Sequence, residues 1–158
     1  MGCADGAGCG EKPWEGPAAD LSRGGLTVSD NGRHLSYRDG TPFVWMGDTA
    51  WELFGRLDMD EAVHYLEDRR AKGFTVVQAV ILKELDTIGQ PNRNGIVALR
   101  GTDPLAISED YLRWVDDVIA IAAEKGLYVG LLPTWGDKVD RQWGRGPVIF
   151  DTHNAGAV

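Results

Sequence analysis

Nine consecutive residues, Phe74-Thr75-Val76-Val77-Gln78-Ala79-Val80-Ile81-Leu82, constrain the fold of this chain more than any other stretch. They are β-branched or apolar almost throughout, so the run has no polar face to turn to solvent. A strand of this kind belongs in a parallel sheet, with helices on one side and a core on the other. Its flanks agree. Asp58 with Glu61 three residues later forms a capping-box-like helix start, Ala62, Val63, Leu66 and Arg70 fall at helical spacing, and Gly73 closes the helix. On the other side Ser108 opens a second helix carrying Tyr111, Leu112, Val115, Val118, Ile119 and Ala122, which ends at Lys125-Gly126.

Two further apolar runs share one ending. Phe43-Val44-Trp45-Met46 leads into Gly47-Asp48-Thr49-Ala50-Trp51, and Leu127 to Leu132 leads into Pro133-Thr134-Trp135-Gly136-Asp137-Lys138. Ahead of them, Leu26 to Tyr37 has Asn31-Gly32 between two strand-like arms, a hairpin signal, and Arg38-Asp39-Gly40-Thr41-Pro42 supplies another turn. The predicted order is hairpin, β, α, β, α, β, an α/β arrangement with a parallel sheet. Lys83 to Ile107 is a long polar connection of the sort that is usually functional or disordered. Residues 140–147 read as a loop, and Thr152 as the cap of a third helix. Residues 1–25 read as a disordered lead, since Met1 to Asp20 is rich in Gly, Ala and Pro without periodicity, and residues 26–158 as the ordered domain.

The 158 residues suffice for one core, and a net charge of −8, from 16 basic and 24 acidic residues, argues against nucleic acid or an anionic membrane as partner. No run of about 18 apolar residues is present to span a membrane. Cys3 and Cys9 have no companion ligands, and His34, His64 and His153 are scattered, so neither metal nor cofactor is expected. Phosphate-cradling glycine loops are missing. No secretory signal is recognisable, and the compartment stays open.

Parallel α/β proteins build ligand sites where their strands end. A sugar offers an apolar face to an aromatic ring and hydroxyls to carboxylates, so Trp beside Asp at two strand ends suggests carbohydrate. Asp48 is then a partner for a sugar hydroxyl or, alternatively, the cap of the turn at Thr49. Trp51 and Trp135 are stacking platforms, Trp143 a wall of the cleft or a loop anchor, and Trp45 and Trp114 core residues. Gln78 joins an internal network or faces substrate. Glu84, with Asp86 in the long connection, is a site carboxylate or a solvated charge. Asp137 and Lys138 contact ligand or form an ion pair that orders the loop.

Three segments, 45–54, 72–80 and 130–138, resemble in order and spacing the apiosidase-like glycoside hydrolases, which are (β/α)8-barrel enzymes of the cellulase-like group. The resemblance runs from about Leu26 to about Phe150. It implies a barrel, yet such a barrel takes about 250 residues, so the chain is expected to form an N-terminal, incomplete portion. The family's catalytic carboxylates come from later strands, including a Gly-Gly-Asp segment that this chain lacks, and are expected beyond Val158. The chain is thus expected to contact substrate without catalysing hydrolysis, and to oligomerise or aggregate through unpaired edges. The alternatives are a non-catalytic carbohydrate-binding or scaffold module, and a small α/β hydrolase using Asp48, Glu84 and Asp137.

Overall fold

Asn31-Gly32 turns the chain as the sequence predicts, though within a longer loop than a tight hairpin. In the computed structural model, which describes residues 16–82, 88–101, 103–139 and 148–150, strands β1 (Leu26–Val28) and β2 (Leu35–Tyr37) pair antiparallel. Residues 29–34 connect them, with Gly32 N–H donating to Ser29 O and Gly32 at φ +68°, where a side chain would be strained. The second turn forms at Gly40, whose N–H donates to Tyr37 O.

A parallel sheet follows in the order β3 (Gly47–Thr49), β4 (Val76–Val80), β5 (Tyr128–Leu132). Between β3 and β4 lie a short helix α1 (Leu53–Arg56) and α2 (Met59–Ala71), and α3 (Glu109–Glu124) precedes β5. The α2 capping box is complete: Asp58 Oδ1 accepts from Glu61 N–H, and Glu61 Oε2 accepts from Asp58 N–H. Ser108 caps α3. Gly73 and Gly126 both take positive φ, as helix-ending glycines do. Among the described residues no helix is long and apolar enough to cross a membrane.

Register decides which way each side chain points, because alternate residues of a strand face opposite sides. Asp48, Val77 and Val129 align across the sheet on the helix side, where Val77, Ala79, Leu66, Phe54, Tyr111 and Trp114 form the main core. Thr49, Gln78 and Gly130 align on the opposite, concave side. At the N-terminal end of that side the hairpin closes the sheet, with Tyr37, Phe43, Val76 and Tyr128 in one apolar cluster. Trp114 is buried as expected, its indole N–H donating to Phe54 O at 3.0 Å.

Two expectations are corrected here. Phe43 to Met46 is not the strand; pairing begins at Gly47, and Trp45 is 50% exposed rather than core. Thr75 ties the approach to β3, its hydroxyl accepting from Met46 N–H and donating to Val44 O, while Met46 O accepts from the backbone N–H groups of Thr75 and Val76. Trp45 lies edge-on to Phe43, and a Cβ at Gly47 would come within 2.8 Å of its indole nitrogen. Residues ahead of Leu26 also bond to the helices. Ala18 and Ala19 donate their N–H groups to Lys125 O and Gly126 O, and Arg70 donates to Gly16 O at 2.6 Å. Gly126 permits this approach, since a Cβ there would sit 2.5 Å from Ala19 O.

Glu67 ties the same corner together, accepting from Arg70 on its own helix and from Lys125 after α3. These hydrogen bonds hold its carboxyl at about 2, against an ordinary 4.5. A depressed folded value means stability that is present above 4.5 and is lost as pH falls toward 2. Glu67→Gln is therefore expected to be less stable than the parent near neutrality and to lose less stability as pH falls through that window. Urea midpoints across an acid pH series measure this; an acid limb as steep as that of the parent would refute it.

Candidate functional site

The C-terminal end of the parallel sheet is where the two tryptophan-bearing turns meet. Trp51 follows β3 and Trp135 follows β5, with β4 between those strands. Their ring centroids are 5.0 Å apart at 71°, an edge-to-face pair that reaches past the end of β4. Both residues are half-buried. Trp135 Nε1 is buried and has no acceptor among the described residues, so a polar donor stands beside the pair with its capacity unspent.

The concave face below the pair carries Thr49, exposed, and Gln78, half-buried at the centre of the sheet. The Gln78 side chain lies against Gly130, where a Cβ would approach it to 3.3 Å, so Gly130 leaves room for the amide. Gln78 O also accepts from Ala50 N–H at 2.7 Å, fixing the turn that presents Trp51. Thr49, Trp51, Gln78 and Trp135 thus belong to one end of one sheet. They offer an aromatic corner beside hydroxyl and amide groups.

The carboxylates do not join them. Asp48 was expected to face a ligand, but its register with Val77 turns it to the helix side. There its Oδ2 accepts from Tyr65 OH at 2.8 Å and lies 2.9 Å from Arg69 Nη1, while Oδ1 accepts from Thr49 N–H. Arg69 stacks on the rings of Tyr65 and Phe74 at 4.8 and 5.4 Å. Burial, then the hydrogen bond to Asp48, pushes the Tyr65 phenol well above its ordinary range, so it is a donor throughout the physiological range. The sequence reading missed Tyr65 and Arg69. Their spacing of four on α2, which puts both on one helix face, was the available signal.

Asp137 and Lys138 likewise engage each other. They lie in a 3-10 turn (Gly136–Lys138) and are 6% and 2% exposed. Lys138 Nζ donates to Asp137 Oδ2 at 2.7 Å, and Lys138 O accepts from the N–H groups of Ile149 and Phe150. The geometry is that of an ion pair within the loop, which is the alternative reading the sequence offers for these two residues. Glu84 and Trp143 lie outside the described residues, as do Asp86, Thr152, Cys3, Cys9 and His153. His64 faces solvent, and no group of His, Cys, Asp and Glu suited to a metal occurs among the described residues.

Part of the long connection is built rather than loose. Asn92 is buried, its side-chain oxygen accepting from Asn94 and Ile96 N–H and its amide donating to Phe54 O. It fastens the connection beneath α1.

A family profile described as the apiosidase-like catalytic domain matches residues 29–157. A solved structure of a glycoside hydrolase is similar at 36% identity and TM-score 0.66, over 75% of this chain and 27% of that one. A glycoside hydrolase family 5 structure from Bacteroides vulgatus is similar at 30% identity and TM-score 0.64, over 74% and 26% respectively. The chain thus spans about a quarter of the length of these structures, and its hairpin and βαβαβ unit form part of a (β/α)8 barrel. No curated protein matches it.

Proposed function

Since the chain belongs to the apiosidase-like catalytic-domain family of glycoside hydrolases, we propose that its role is to hold a carbohydrate at the C-terminal end of its parallel sheet. The observation that carries this reading is the Trp51–Trp135 corner, two indoles 5.0 Å apart beside a buried, unspent indole N–H. An indole face covers the apolar face of a sugar ring, and Gln78 and Thr49 supply hydrogen bonds to hydroxyls from the concave side. Aromatic faces at strand ends are the arrangement that barrel enzymes use for their ligands.

Hydrolysis asks for more. Glycosidases flank the scissile bond with two carboxylates, about 5–5.5 Å apart for retention and about 6.5–9.5 Å apart for inversion. Asp48 is engaged by Tyr65 and Arg69, and Asp137 by Lys138, so neither is offered as an acid or nucleophile at the sheet end. The same engagements weigh against a small hydrolase built on Asp48, Glu84 and Asp137. We therefore assign this chain binding without independent hydrolysis, in keeping with a carbohydrate-contacting portion of a glycosidase.

Titration of the chain with neutral pentose and hexose oligosaccharides, read by tryptophan fluorescence and by calorimetry, tests the reading. Saturable binding is expected, weakened at least about tenfold by Trp51→Ala or Trp135→Ala, the loss of one stacked ring contact. No reducing sugar should be released by the chain alone. Heat and fluorescence signals absent across the whole panel would refute carbohydrate binding, and reducing sugar released by the chain alone but not by Asp48→Asn would refute its non-catalytic role.

A further inference from the structure

A three-residue strand is a weak mount for a binding platform. Among the described residues β3 pairs with β4, through Gly47, Asp48 and Thr49. A strand of three residues makes few ladder hydrogen bonds that could fix its rotation about its own axis. Because Asp48 and Thr49 face opposite sides, any rotation swings Thr49 and the following Trp51 across the concave face. Something must hold it.

We propose that Tyr65 and Arg69 of α2, acting through Asp48, are positioning residues that set the approach of Trp51 to Trp135. Three donors converge on one carboxylate: Tyr65 OH at 2.8 Å and Arg69 Nη1 at 2.9 Å on Oδ2, and Thr49 N–H at 2.8 Å on Oδ1. The first two come from a helix that is itself fixed by its capping box and by the buried Ala62 and Leu66. The third belongs to the next residue of β3, so the carboxylate links the helix to the strand backbone across the sheet's helix face. Arg69 is held in turn by Asp68 at 3.0 Å and by the rings of Tyr65 and Phe74. Two residues further along, the platform gains its second anchor. Ala50 N–H donates to Gln78 O at 2.7 Å, and Leu53 N–H donates to Ala50 O as α1 begins. Trp51 is thereby suspended between a side-chain clamp on β3 and a buried helix, and its ring angle depends on both.

A mere salt link would tie α2 to the sheet without any effect on the indoles, so the test must read the indoles themselves. Two tryptophans at 5.0 Å and 71° couple their ultraviolet transitions and produce a paired positive and negative circular dichroism band. The whole chain is expected to show this couplet, and Trp51→Phe and Trp135→Phe are expected to abolish it, which assigns it. Tyr65→Phe removes only the hydroxyl, and Asp48→Asn keeps the shape of the side chain while discharging it. Each is expected to diminish the couplet at a temperature where the helix signal and a cooperative thermal transition show the protein folded. An undiminished couplet in folded Tyr65→Phe and Asp48→Asn overturns the proposal, as does a parent chain lacking any couplet that Trp51→Phe removes. Should Asp48→Asn fail to fold, Tyr65→Phe and Arg69→Lys, which retains the cation but not the stacked fork, decide the matter by the same comparison. This arm needs no ligand. A second arm rests on the carbohydrate reading: for an oligosaccharide that binds the parent chain, both variants weaken affinity about tenfold, as a loosened contact group does.

Discussion

Phe54→Ala is expected to lower the unfolding free energy by about 3–5 kcal/mol, the usual result of emptying a large aromatic site in a core that cannot collapse around it. Phe54 is 0% exposed and lies among Leu53, Ala62, Leu66, Trp114 and Val118 in the cluster between helices and sheet. Its surroundings are tied down by more than packing. The Phe54 carbonyl accepts from Trp114 Nε1 and from Asn92 Nδ2, and Gly55 O accepts from Arg93 N–H, so α1, α3 and the long connection are fixed around the ring. A neighbourhood held by hydrogen bonds relaxes poorly into a cavity, which argues for the upper part of that range. Since a domain of this kind has about 5–15 kcal/mol in all, the variant should sit close to its unfolding threshold. Leu105→Ala is the matched control, because Leu105 is apolar but exposed and should change stability by no more than about 0.5 kcal/mol. Urea denaturation of both variants measures the difference. Equal effects would mean that α1 is not docked as described.

How much of this was legible in the sequence depended on the range of the signal. Local signals read correctly: Asp58 and Glu61 form both bonds of the capping box, Ser108 caps α3, and Gly73 and Gly126 close the helices at positive φ. Each of these involves residues within four positions of one another, where spacing alone determines geometry. The buried strand around Val77 was equally plain, because an apolar run has few alternatives. Orientation across the sheet was not legible. That Asp48 faces α2 follows from its pairing with Val77, a partner 29 positions away, and no pattern within the 47–51 segment distinguishes the helix side from the concave side. The same limit concealed the exposure of Trp45. The side-chain bonds from Thr75 that shape its approach to β3 are contacts between segments far apart in the chain.

Replacing Lys138 by alanine is expected to cost about 3–5 kcal/mol, an effect as large as that of Phe54, because it takes the cation away from a buried carboxylate. Asp137 and Lys138 are nearly inaccessible, and Lys138 Nζ lies 2.7 Å from Asp137 Oδ2. A charge left in such a place keeps its desolvation penalty and loses part of the attraction that offset it. The double variant Asp137→Asn with Lys138→Met should recover much of the loss, since it removes both charges while keeping comparable volume. The comparison also separates the two roles that the sequence allowed for this pair. An ion pair that orders the turn after β5 predicts a large stability loss in the single variant, partial recovery in the double variant, and a weakened Trp51–Trp135 couplet only as far as the turn loosens. A ligand contact predicts the reverse, with stability near that of the parent and oligosaccharide affinity reduced in both variants alike. Denaturation and titration of the same two proteins decide between them, and a stable Lys138→Ala chain with impaired binding would return the pair to the binding surface.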